Sequence, residues 1–187
     1  MSQPEPPSIA PDDKNWTWVL ERACPECGFD PAEHPRERIG AEIRAIAAAF
    51  DRHLGAQRVR DRPSPQVWSA LEYGCHVRDV FELFHRRLNL MLEQDAPEFA
   101  NWDQDETAVA ERYDLQDPEA VRSRLVQAAA GLADRYDGVT GDQWARTGFR
   151  SDGSAFTVES FGTYLLHDPL HHLWDVEQGY RNLTGAG

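Results

Sequence analysis

The chain holds seven histidines and three cysteines, and the spacing of several of them suits a metal ion. His167 and His171 are four residues apart. On a regular helix that spacing stacks both side chains on one face, one turn apart. Two neutral imidazoles so placed can hold one ion such as zinc, at ~2.0–2.1 Å per nitrogen. The third ligand must come from elsewhere, and His76, set among Trp68, Leu71, Cys75 and Val80, is the best candidate. Three protein ligands leave a position open for water or substrate. His172 is rotated by ~100° from His171 and is expected to point away. His34, His53 and His85 have no partner at ligand spacing and read as surface residues. Pro169 lies between the paired histidines and cannot donate a backbone hydrogen bond to Leu165. Either the helix kinks there, or Asp168 caps a new helix with Pro169 in its first turn; a full break would weaken the spacing argument.

Cys24 and Cys27 in the run Cys24-Pro25-Glu26-Cys27-Gly28 have the spacing of zinc-finger or redox pairs. A closed four-cysteine site needs a second such pair, which the sequence lacks. Three readings stay open. In the first the pair holds a structural zinc, with His34 as a third ligand and an acidic residue or a second subunit as the fourth. In the second it is a redox pair, although the βαβ pattern that accompanies such pairs is absent. In the third the two thiols have no special role. Cys75 adjoins His76 but faces another side of its helix and reads as core. Glu72, one turn before His76, is either an orienter of that ligand or a solvated acid. Asp79 and Asp168 could each hold the far nitrogen of a ligand imidazole, though the surface reading weighs more for both. Arg150 is a candidate for meeting an anionic cofactor.

Four helical segments must position these residues. The first spans about Arg36 to Leu54, with Ile39, Ile43, Ile46, Ala47 and Phe50 at helical spacing and Gly55 as its stop. The second spans about Pro65 to Gln94. A polar stretch from Asp95 to Asp117 leads to the third, which Asp117 caps and Pro118 opens. The turn-rich stretch from Gly138 to Ser154 has room for a short helix near Asp142 to Arg146. The fourth begins near Thr157 and ends near Gly179. The expected fold is all-α: a four-helix bundle with a long crossover connection and an irregular N-terminal extension. Residues 1–35, with the CxxC pair, form that extension, and residues 36–187 form the bundle. Met1 to Asp13, rich in proline and acid, is expected to be flexible.

The net charge of -13 repels phosphate backbones and anionic lipid, so no nucleic-acid or membrane partner is expected. No apolar run nears the ~18 residues of a membrane span. The start of the chain lacks a basic and apolar leader, and the low, odd cysteine count argues against a disulfide framework; the expected location is the cytoplasm. All but one of the nineteen Lys and Arg residues are arginine, a bias that GC-rich codons produce.

The run from Arg62 to Val77, with Trp68-Ser69, Glu72 and His76, resembles the first metal-ligand segment of the DinB-like superfamily. Phe156 to Val176, with His167 to His172, resembles its last helix. That resemblance covers about Arg36 to Gly179, whereas the Trp16-Thr17-Trp18 and Cys24 to Gly28 segments depart from it. It implies a four-helix bundle with rearranged helix order, binding one divalent ion (zinc or nickel) through His76, His167 and His171. It also implies a thiol-dependent S-transferase or isomerase acting on a small molecule, with mycothiol as the thiol in a GC-rich actinobacterium, and a homodimer. Two rival readings remain: a metal-dependent hydrolase, and a non-enzymatic metal-stabilised binding module.

Overall fold

The computed structural model of the protein describes Ile9 and residues 15–185. The expected flexible segment from Met1 to Asp13 lies outside the described residues apart from Ile9. Helix α1 spans Ile39–Leu54, α2 Ala70–Glu93, α3 Gln104–Ala110, α4 Pro118–Asp137 and α5 Val158–Thr184. The four long helices are the expected ones. Three of them, α2, α4 and α5, begin where side chains satisfy orphan backbone N–H groups of the first turn. Ser69 and Glu72 form a capping box at α2, Asp117 caps α4 with Pro118 in its first turn, and Thr157 with Ser160 caps α5. The second helix thus starts five residues after Pro65, at the capping box, and the fourth runs beyond Gly179 to Thr184.

The heaviest packing is of α1 and α2 on α4, followed by both on α5. Consecutive helices α1 and α2 therefore lie diagonally across the bundle, which is the rearranged order that a long crossover permits. The core between them is closed by Ile43, Phe50, Leu71, Phe81, Leu88, Leu125, Leu132 and Leu165, all fully buried. The crossover from α2 to α4 is not structureless. It carries strand β1 (Glu98–Phe99), then α3, and a 3-10 turn that buries Tyr113.

A small sheet was not expected. Strand β2 (Thr147–Arg150) pairs in parallel with β1 and antiparallel with β3 (Ala155–Thr157). It lashes the crossover to the hairpin that leads into α5. The 3-10 turn Gly141–Ala145 precedes it, near the place expected for a short helix. Residues 15–38 form three 3-10 turns joined by irregular chain. They seat Val19, Cys24 and Phe29 in buried positions and lie against α5. Among the described residues no helix is long and apolar enough to cross a membrane.

Candidate metal centre

Helix α5 runs unbroken through Pro169, which is buried. Its sequence from His167 to His172 therefore carries two i,i+4 pairs, His167/His171 and Asp168/His172. One residue of offset turns them ~100° apart on the helix, so they serve different neighbours. Asp168 and His172 face α2 and meet His76. His167 and His171 face the N-terminal segment and meet Cys24 and Cys27. In each group the ligand atoms all lie within 4.8 Å of one another. The structure does not gather His76, His167 and His171 into one set of ligands. It separates them because the face of α5 that packs on α2 is the one bearing residues 168 and 172.

His76 is fully buried. It sits two turns into α2, whose entry is fixed by Ser69 and by Glu72. Glu72 is neither a solvated acid nor a partner of His76: buried, it closes the capping box and pairs with Arg62 at 2.5 Å. The His76 ring lies between Trp102, stacked at 5.6 Å, and Trp68 at 5.5 Å. His76 Nε2 is 3.4 Å from Asp168 Oδ1, and His172 Nε2 is 3.9 Å from Asp168 Oδ2. His172 turns its other nitrogen, Nδ1, to Asp175 Oδ2 at 3.0 Å. A carboxylate behind a ligand imidazole fixes its orientation and raises its basicity.

The donor set fits a divalent cation. Both His76 ring nitrogens and Asp168 Oδ1 are buried without a hydrogen-bond partner. Each such atom costs about 1–3 kcal/mol if left so, and such atoms are exceptions to the rule that buried polar atoms are paired; of the three, His76 Nε2 and Asp168 Oδ1 face each other. Burial would raise the Asp168 carboxyl, but the imidazoles of His76 and His172 outweigh it and hold it at about 2. It is therefore a carboxylate at neutral pH. Two imidazoles and one carboxylate make a set used by catalytic zinc sites, with a further position left open.

Asp168 and His172 border a cavity of about 420 Å3 whose other walls include Phe84, Phe161, Trp16, Arg87 and Arg150. Burial, and then the charge of Arg150, lower Arg87 to about 10. Arg150 donates to the Tyr164 hydroxyl at 3.1 Å and pairs with Asp152 at 2.9 Å. Two half-buried guanidinium groups beside one cavity can meet an anion there, and Asp103 and Asp105 line the same cavity.

In the second group, Cys24 Sγ lies 3.7 Å from His171 Nδ1, and both cysteines are free thiols. Burial pushes Cys27 up to about 11, against the Phe29 backbone N–H that favours its thiolate. Burial, and then neighbouring His171, push His167 down to about 4. His34 is not part of the group. It stacks on Phe29 at 4.5 Å and pairs with Glu42 at 2.5 Å. Asp79 accepts from the Tyr113 hydroxyl and from Arg78. Sequence reasoning set His172 aside and weighed Asp168 toward the surface. The signal that could have found them was a second four-residue spacing one step along the same helix.

The profile of the DinB superfamily matches residues 44–176, and the chain belongs to that superfamily. No curated protein matches the sequence. Among solved structures the chain is similar to YfiT from Bacillus subtilis, described as a probable metal-dependent hydrolase with an unusual four-helix bundle topology. The TM-score is 0.73 at 16% identity, covering 80% of this chain and 87% of that one. It is also similar to the mycothiol-dependent maleylpyruvate isomerase, with a TM-score of 0.58 at 13% identity, covering 78% of this chain and 60% of the isomerase. At these identities the likeness shows the shared fold.

Proposed function

We propose that the protein is a metal-dependent enzyme that sets a small thiol, of the mycothiol type, against a small anionic substrate, with the ion held by His76, Asp168 and His172. The observation that carries this is the convergence of unpartnered buried donor atoms at the edge of a cavity flanked by Arg87 and Arg150. A bound zinc or nickel ion would supply Lewis acidity and lower the pKa of a thiol or water beside it. The residues do the rest. Asp168 supplies the negative charge that favours a cation, and His172 is held in one tautomer by Asp175. Trp68 and Trp102 keep water from the His76 ring. Arg87 and Arg150 orient an anionic group so that the reacting atoms meet without a search. The free thiols of Cys24 and Cys27 suit a reducing, cytoplasmic setting.

The fold's likeness to YfiT, over most of both chains, supports a second reading in which water rather than a thiol is the nucleophile. The test is turnover of a panel of electrophiles by zinc- or nickel-loaded protein, with and without thiol. Turnover that requires thiol, and that falls at least a hundredfold in His76→Ala together with loss of one metal equivalent, supports the proposal. Turnover that ignores thiol moves the protein to the hydrolases. Full activity in His76→Ala overturns both readings.

A further inference from the structure

We propose that Cys24, Cys27, His167 and His171 hold a second ion, a structural zinc that pins the N-terminal segment to α5. The family's helices do not need these cysteines, since both lie ahead of the matched residues 44–176. A tetrahedral zinc with bonds of ~2.0–2.3 Å keeps neighbouring ligand atoms about 3.3–3.8 Å apart. The Cys24 Sγ to His171 Nδ1 distance of 3.7 Å falls in that range, and all four ligand atoms lie within 4.8 Å of one another.

The local chain is shaped for the purpose. The Cys24 N–H donates to the Phe29 carbonyl at 2.8 Å, and the Gly28 N–H donates to the Cys24 carbonyl at 2.9 Å. Gly28 takes φ +77, a left-handed conformation that glycine adopts without steric cost. The resulting knuckle sets the two thiols side by side. His167 Nε2 is buried without a hydrogen-bond partner. Glu26, inside the same knuckle, stands 3.4 Å from His171 Nε2, so the ring is backed by a carboxylate as ligand histidines are. Trp16 covers both rings, at 5.1 Å from His167 and 5.2 Å from His171.

The charge balance also favours this reading. Two thiols lose their protons on binding, and two thiolates with one Zn2+ and two neutral imidazoles sum to zero, so no net charge is buried. Four protein ligands close the coordination sphere, as in structural rather than catalytic sites. The ion would fasten Trp16 in place as a wall of the cavity.

Cobalt(II) is the probe, loaded into the full chain and counted by elemental analysis and absorption. Two equivalents and a thiolate-to-cobalt charge-transfer band are expected in the wild type. Cys24→Ser/Cys27→Ser should drop to one equivalent and lose the band. His76→Ala should also drop to one equivalent but keep the band, which holds the test open if the cysteine variant fails to fold. A wild type without the band, or a cysteine variant that keeps two equivalents, overturns the proposal; a Cys24–Cys27 disulfide as the resting state does so too. One equivalent without the band leaves the His76 centre standing and sinks this one. One equivalent with the full band does the reverse.

Discussion

Asp175 touches neither cavity nor α2 ligand, yet its carboxylate holds His172 Nδ1 at 3.0 Å. Removing such a partner costs about 10- to 100-fold in metal affinity. Asp175→Ala is therefore expected to weaken zinc at the His76 centre by that factor, read by competition with a chromophoric chelator, while the thiolate–cobalt band stays. The two cavity arginines make a separate prediction. A hydrogen bond to a charged group is worth about 1.5–3 kcal/mol, so Arg87→Met and Arg150→Met should each weaken binding of a small dicarboxylate at least tenfold by calorimetry. Unchanged affinity in both would remove the anion from the proposed function. Arg87 pays for its position in the free protein, since burial and the nearby Arg150 both disfavour its charge.

At the scale of elements, the four long helices were legible because each has an apolar face, and three of them have a side-chain-capped start. Asp117-Pro118 and Thr157 mark the first residues of α4 and α5 as the structure has them. The three strands span two to four residues each, too short for an alternating pattern to show. The site was legible only in part. Residue types and the four-residue spacing can be read from a sequence, but the rotation of α5 about its axis depends on which face packs on α2. The seat of α5 on α1 and α4 is close-packed at Gly162, where an added Cβ would lie 2.5 Å from Ile39 and 3.0 Å from Tyr136. Gly162→Ala gains up to ~1 kcal/mol of helix propensity but overpacks a junction of three helices at a cost of roughly 1–3 kcal/mol. The net expectation is a loss of about 1 kcal/mol and a lower Tm. Ser69→Ala should cost about 1–2 kcal/mol in urea unfolding, because it opens the capping box and takes a partner from buried Glu72.

At the scale of the molecule, two kinds of attachment coexist. The helices are held by a continuous apolar core, while residues 15–38 add Val19, Cys24 and Phe29 to it and depend on the proposed zinc for the remainder. Chelation should therefore loosen the N-terminal segment first. Limited proteolysis of chelated protein is expected to cut between residues 15 and 38 well before any cut in the helices, with far-UV circular dichroism nearly unchanged. Simultaneous loss of helix signal would place the zinc in the bundle's own stability instead.

The one-step offset of the two ligand pairs on α5 makes the helix a kind of reading frame for charge. One residue inserted ahead of Leu166 would turn the downstream helix by ~100°. It would carry His167 and His171 to where Asp168 and His172 now stand, and the cysteines would then face Leu166 and Leu170. The cavity ion would trade a carboxylate for an imidazole and become one unit more positive. Its neighbour ion would lose both nitrogen ligands in the same stroke. If both proposed ions are bound, a length change in this helix cannot alter one ion's electrostatics without evicting the other, and the spacing from Thr157 to His167 is as much a part of both proposed centres as the ligands themselves.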